Sequence, residues 1–175
     1  MRIAVIPVIL ALFFTTSDAW ILLRNTLFML AATTDFMDGF LARHYNQMSR
    51  LGQLMDPLAD KLLTLPCLII LMVQGYIPPS FFPAALLIIM REICVPTLRE
   101  RVMERTGKNL PSSPLAQWKT CLLMVAIAGL MSVDLLSAHM FFITQKVSLW
   151  VLAGAAGLSL ISFWGYLRQT LKAMA

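Results

Sequence analysis

Long apolar runs separated by short polar breaks dominate this chain. Stretches such as 62–73 and 81–90 contain no charge, and with their neighbours they are long enough to cross the core of a bilayer. Turn-like breaks on one side are "TTSDAW", "QGYIPPS" and "SVDLLSAHM", and those on the other are "HYNQMS" and "RTGKNLPSSP". The pattern predicts six membrane helices, roughly at residues 2–14, 20–43, 50–73, 79–104, 112–133 and 146–170.

The composition favours an integral membrane protein over a soluble one. The mean hydropathy is +0.77, and 59% of the residues are hydrophobic while 13% are charged. We expect a single membrane domain over residues 1–175 with no soluble appendage, and no cleavable signal peptide, because the first apolar segment is followed at once by others. Cys67, Cys94 and Cys121 lie in apolar segments without metal-ligand spacing, which predicts packing roles.

Basic residues are distributed unequally between the two sets of breaks. Two of them, Arg24 and Lys146, belong to the side with "TTSDAW". The opposite side carries nine: Arg2, Arg43, Arg50, Arg99, Arg101, Arg105, Lys108, Arg168 and Lys172. The positive-inside rule therefore predicts that both termini lie in the cytoplasm. This topology, together with contacts to lipid head groups, explains the net charge of +5 more simply than binding to nucleic acid does.

Four acidic residues interrupt the second and third apolar segments. Asp35 and Asp38 are three positions apart, and Asp56 and Asp60 are four apart, so each pair shares one face of a helix. Because the intervening loop is short, the two helices are predicted to be antiparallel neighbours whose acidic faces meet near the cytoplasmic boundary. Four carboxylates in a medium of low dielectric constant would repel one another strongly.

Divalent cations would relieve this repulsion. Carboxylate oxygens suit hard cations, and four acids can hold two of them. Small residues among the acids leave space for a ligand: Gly39, Ala42, Gly52 and Ala59. The alternative is a set of intramembrane ion pairs with neighbouring cations: Arg43, Arg50 and Lys61.

The spacing of these residues resembles the signature of the CDP-alcohol phosphotransferases. Eight fixed residues within 26 positions agree with it: Asp35-x2-Asp38-Gly39-x2-Ala42-Arg43-x8-Gly52-x3-Asp56-x3-Asp60. The segments "REICVPTLRE" and "KT" at 119–120 are similar to bacterial members that use CDP-diacylglycerol and glycerol 3-phosphate. The resemblance implies an all-α bundle of six transmembrane helices, usually a homodimer, with a cavity open to the cytoplasm and two Mg²⁺ or Mn²⁺ ions.

The resemblance also implies a role for each matching residue. Asp35, Asp38, Asp56 and Asp60 would hold the metals, and Asp60 would also be the general base that takes the proton of the acceptor hydroxyl. The residues that would line the site of the cytidine nucleotide are Gly39, Ala42, Arg43 and Gly52. Attack by the acceptor would displace CMP and transfer the phosphatidyl group.

The phosphate of glycerol 3-phosphate requires a basic pocket, for which Arg91, Lys119 and Arg99 are the candidates. Alternatively, Arg91 is neutralised by Glu92 or an aspartate, and Arg99 marks the cytoplasmic boundary. Other acceptors would keep the chemistry: phosphatidylglycerol, inositol phosphate or serine. An ion-coupled transporter would also use intramembrane acids, but it predicts broken helices and two related halves, which this sequence lacks.

Two departures from the family pattern bear on the site. Family members usually begin with an amphipathic segment containing Asn-x-x-Thr, whereas this chain begins at Met1, so we expect either a nucleotide site without that wall or a longer gene product. Ala116 and Gln117 replace a glycine and a lysine of similar proteins, which bears on the acceptor. The expected location is a bacterial cytoplasmic membrane, with a mitochondrial inner membrane as the alternative.

Overall fold

The computed structural model of the chain describes residues 2–45, 50–106 and 114–174. Side-chain environments are described for residues 4–34, 59, 61–98, 118–137 and 139–168. Within these ranges the chain forms helices and turns and no strands. Six α-helices follow one another: α1 (Arg2–Leu12), α2 (Asp18–Tyr45), α3 (Arg50–Val73), α4 (Phe82–Thr106), α5 (Pro114–Ser132) and α6 (Ala138–Met174).

These helices confirm the element order predicted from the apolar runs. The bounds of α3 agree with the prediction, and α4 begins directly after a 3₁₀ turn at Pro79–Phe81. The prediction was wrong at the start of the last helix, which begins at Ala138 rather than at residue 146. A 3₁₀ turn at Val133–Leu135 already completes the break, so the helix can begin as soon as that turn ends.

Three segments of the described helices are long and apolar enough to cross a membrane: Pro79–Leu98, Trp118–Leu135 and His139–Arg168. A shorter apolar stretch, Lys61–Val73, belongs to α3. On α4, the exposed large side chains Leu86, Met90 and Ile93 recur at helical spacing, as expected for a face in contact with lipid.

The chain divides into two compact units, and each is described by itself. Unit 1 comprises Met1–Tyr76 and Ile127–Val147, and unit 2 comprises Ile77–Ala126 and Ser148–Ala175. In unit 1, α1 packs on α2 and α3. The buried side chains of this unit include Ile9, Phe28, Leu68 and Met131. The core of unit 2 includes Ile88, Ala126, Leu152 and Ala155. The single domain expected over residues 1–175 stays a prediction.

Unit 1 contains a buried arginine that connects α2 to the turn after α5. Arg24 is 2% exposed, and its Nη2 donates a hydrogen bond to the carbonyl oxygen of Met131 (2.8 Å). The same nitrogen lies 3.6 Å from a carboxylate oxygen of Asp134, and the guanidinium stacks 4.5 Å from the ring centroid of Phe13. The Tyr76 hydroxyl donates to Asp134 at 2.6 Å, so an ion pair and a hydrogen bond share one carboxylate.

Candidate functional site

The four aspartates of the predicted metal site lie on helical backbone. Asp35 and Asp38 fall within α2, and Asp56 and Asp60 fall within α3. Each pair is therefore separated by about one helical turn, as the spacing requires.

The side chains of these aspartates lie outside the described residues. The same is true of the predicted nucleotide-site residues and of one predicted acceptor-site residue: Gly39, Ala42, Arg43, Gly52 and Arg99. Their roles stay predictions. Ala59, one of the small residues among the acids, is described and buried. Among the side chains that the structure describes, no group of three or more His, Cys, Asp or Glu could hold a metal ion.

Two other predicted residues, Arg91 and Lys119, are brought together in unit 2. They lie on α4 and α5, and the carboxylate of Glu92 links them. Arg91 Nη1 donates to Glu92 Oε1 at 3.2 Å, and Lys119 Nζ donates to the same oxygen. All three are buried, with exposed fractions of 8% for Arg91, 9% for Glu92 and 2% for Lys119. We call these three residues the charged cluster.

Helix α6 contributes a neutral partner to the charged cluster. Arg91 Nη2 donates to the Ser162 hydroxyl at 3.0 Å, and that hydroxyl donates to the carbonyl oxygen of Ser159 at 3.1 Å. Two buried side-chain atoms within the described part of the chain lack a hydrogen-bond partner, and they are Arg91 Nε and the Ser159 hydroxyl. Both belong to the network around Arg91, so this polar region has more donors than its own acceptors satisfy.

The charged cluster joins one carboxylate to two cations among buried side chains. Glu92 pairs with both Arg91 and Lys119 through the same oxygen atom. Removing charges from water is costly unless they are paired and hydrogen-bonded, and Arg91 Nε is a buried donor that has no hydrogen-bond partner in the part of the chain that the structure describes. The arrangement can therefore bind an anionic group. A phosphate is well suited, since guanidinium and ammonium groups both form charge-assisted hydrogen bonds with its oxygens.

The sequence analysis anticipated only part of this arrangement. It considered neutralisation of Arg91 by Glu92, and that contact is present. It did not anticipate that Glu92 also binds Lys119, nor the contribution of Ser162. Polar residues spaced three apart in an apolar helix, as Ser159 and Ser162 are, were the available signal.

Comparison with known proteins places nearly the whole chain within one family. The family model of the CDP-alcohol phosphatidyltransferases matches residues 1–161. A CDP-diacylglycerol–glycerol-3-phosphate 3-phosphatidyltransferase of Rickettsia bellii is 36% identical over 172 residues, covering 98% of this chain and 91% of the relative. Proteins of the same name from Bacillus subtilis and Pseudomonas fluorescens are 35% and 33% identical, over 85% and 96% of this chain and 73% and 85% of the relatives.

Proposed function

The chain belongs to the CDP-alcohol phosphatidyltransferase family, and from this premise we propose that it is a transferase of phospholipid biosynthesis. It transfers the phosphatidyl group of CDP-diacylglycerol to glycerol 3-phosphate, and the products are phosphatidylglycerophosphate and CMP. The observation that carries this assignment is the similarity, over nearly the full chain, to relatives named for this reaction.

The transfer is a displacement at phosphorus. The acceptor hydroxyl oxygen bonds to the phosphorus that carries diacylglycerol, and the bond from that phosphorus to the oxygen of CMP breaks. Asp60 takes the hydroxyl proton, the role that the family resemblance implies, because an ionised carboxylate can act as a general base. Replacing Asp60 by asparagine would leave the shape nearly unchanged and remove the base.

Asp35, Asp38, Asp56 and Asp60 would hold the two divalent ions. The donor set fits Mg²⁺ or Mn²⁺, because carboxylate oxygens are the ligands that these cations prefer. When bound, the ions would neutralise the pyrophosphate oxygens of the donor and stabilise the leaving phosphate. The four carboxylates would fix the positions of the two ions. Without the ions, the acids would repel both one another and the anionic substrate.

Binding of the two substrates is assigned to separate groups of residues. The cytidine nucleotide lies against Gly39, Ala42, Arg43 and Gly52, where small residues admit it and Arg43 pairs with a phosphate. The phosphate of glycerol 3-phosphate binds Arg91 and Lys119, with Arg99 as a further contact. The contacts that bring Arg91 and Lys119 to one carboxylate, and the buried Arg91 Nε that has no hydrogen-bond partner among the residues described, support this second assignment.

We place the protein in the cytoplasmic membrane of a bacterium, with six spans, both termini and the active site on the cytoplasmic side. A mitochondrial inner membrane is the alternative location. Three apolar helices of sufficient length support the membrane location, and the excess of basic residues on one side supports the orientation. We further propose that the protein is a homodimer, in which two copies of the same family domain contact each other and are surrounded by membrane lipids.

The test is CMP release by the purified protein with CDP-diacylglycerol, Mg²⁺ and each candidate acceptor in turn. We expect release only with glycerol 3-phosphate, and a loss of at least about 100-fold in Asp60→Asn, the range expected for a general base. Asp18→Asn is the matched control, because Asp18 is an exposed acid at the start of the same helix α2 that carries Asp35 and Asp38. Release of CMP with serine or phosphatidylglycerol alone would overturn the assignment of glycerol 3-phosphate as the acceptor, while the reaction type would stand.

A further inference from the structure

We propose that Glu92 is a positioning residue that holds Arg91 and Lys119 together as a preformed receptor for the phosphate of the acceptor. This inference rests on the proposed function, because it concerns the acceptor-binding part of that site. Glu92 carries a charge opposite to that of the cationic, phosphate-binding pocket and of the same sign as that of the substrate. When Glu92 is replaced, both the direction and the size of the change in KM for glycerol 3-phosphate therefore test the proposal.

The first observation is that one oxygen atom organises two helices. Arg91 Nη1 and Lys119 Nζ both donate to Glu92 Oε1, and the two cations come from α4 and α5. Without the carboxylate, the two buried cations would lose the acceptor that they share, and their like charges would repel each other. Glu92 thus fixes the distance between the two cations before any substrate arrives. Binding of the substrate then does not include the free-energy cost of bringing the cations together.

The second observation is that Arg91 is oriented from two directions. Glu92 accepts from Nη1 and Ser162 accepts from Nη2 at 3.0 Å, so the plane of the guanidinium is defined by α4 and α6. Its Nε has no hydrogen-bond partner among the described residues. The guanidinium is therefore held in place and still has a donor for an oxygen of the incoming phosphate.

The third observation is that the second partner of Arg91 is neutral. Ser162 accepts from Nη2 without adding a negative charge, so the guanidinium is oriented from α6 without a second carboxylate there to repel an anionic ligand. A simple neutralising role would make Glu92 a competitor of the phosphate, and its removal would then strengthen acceptor binding. A positioning role predicts that its removal weakens binding.

The experiment measures KM for glycerol 3-phosphate, KM for CDP-diacylglycerol and kcat in Glu92→Gln, Glu92→Asp and Ser162→Ala. We expect KM for glycerol 3-phosphate to rise about tenfold or more in Glu92→Gln, as for loss of a buried charge contact. KM for CDP-diacylglycerol should stay within about twofold, since only the acceptor site is changed. Glu92→Asp keeps the charge and should restore part of the affinity, and Ser162→Ala should raise the same KM by a smaller factor.

A matched control is Ser148→Ala, which removes the hydroxyl of another buried serine in α6 and should change neither KM. An unchanged or lower KM for glycerol 3-phosphate in Glu92→Gln overturns the proposal, as does an equal loss for both substrates. If Glu92→Gln does not fold, Ser162→Ala decides, and an unchanged acceptor KM in that variant overturns the proposal. The unsubstituted protein separates failure of this inference from failure of the proposed function. If that protein does not release CMP with glycerol 3-phosphate, the proposed function itself is rejected.

Discussion

Arg24 shows how strongly one charged side chain depends on its partners. At the level of sequence it is one of two basic residues on the side of the chain with few positive charges. In the structure it is buried in unit 1 and contacts Met131, Asp134 and Phe13. A cation within an apolar segment signals the need for a partner, and Asp134 was the acid in a break on the same side. The sequence analysis counted Arg24 only as a basic residue on one side of the chain, and the structure supplies the pair with Asp134.

Tyr76 provides a test of this polar group at the residue scale. Burial, and then the hydrogen bond to Asp134, raise the pKa of its hydroxyl to about 12 from an ordinary value of 10.0. Because the neutral form is favoured in the folded protein, its stabilising contribution is complete below pH 10 and is lost as the pH rises towards 12. Tyr76→Phe should lower the free energy of unfolding by about 1 kcal/mol below pH 10, the usual contribution of one hydrogen bond.

The measurement is thermal unfolding of both proteins in detergent from pH 7 upwards. The difference between them should be constant to about pH 10 and should then shrink, since ionisation of the unfolded tyrosine removes the advantage. The values at neutral pH serve as the internal control for the substitution itself. A difference that disappears well below pH 10, or that persists unchanged to pH 12, would contradict the raised pKa.

At the scale of elements, the end of α3 is set by a glycine. Gly75 has φ +82°, a left-handed conformation that glycine adopts without steric cost. The amide of Gly75 donates to Met72 O at 3.2 Å, and the amide of Tyr76 donates to Leu71 O at 3.1 Å. This pair of bonds is a Schellman motif, which satisfies carbonyl groups at the last turn of the helix. The turn explains why α3 ends where its apolar pattern ends.

Two glycine substitutions should therefore have opposite effects. Gly75→Ala meets no atom within 4 Å, so its cost is that of the backbone conformation and should be about 1 kcal/mol. Gly157→Ala within α6 also meets open space, and its helical backbone favours alanine by about 0.5–1 kcal/mol. Thermal unfolding of the two variants in the same detergent provides the comparison. Equal shifts of the same sign would contradict the assignment of strain to position 75.

The positions of the helices were largely predictable because apolar length and turn residues are local features. α3 was predicted at its observed bounds, whereas the start of α6 was placed too late because the segment "FFITQK" contains no strong signal for a helix start. The aspartate spacing also follows from local sequence. The contact between Glu92 and Lys119 joins two residues that are 27 positions apart and lie on different helices. No periodicity along the chain therefore specifies it.

At the scale of the whole molecule, the proposed two-ion site at the four aspartates predicts that activity depends on a divalent ion. Removal of metal with EDTA should abolish CMP release, and excess Mg²⁺ or Mn²⁺ should restore it, because the anionic donor would otherwise meet uncompensated carboxylates. The control is Asp18→Asn, which should show the same metal dependence as the unsubstituted protein. Full activity after complete metal removal would contradict the proposed two-ion site.

The contacts that Arg24 makes with Met131 and Asp134 can form only late in the synthesis of the chain. Arg24 and Met131 are 107 positions apart, so α2 is synthesised long before the end of α5. At about 5–20 residues per second, the interval is about 5–20 s. During that time Phe13 and Asn25 are available to the guanidinium, but its main carbonyl and carboxylate partners do not yet exist. Until the end of α5 has been synthesised, the Arg24 guanidinium therefore lacks two of the partners that it has in the folded protein, and the contacts that hold α2 to the turn after α5 form only afterwards.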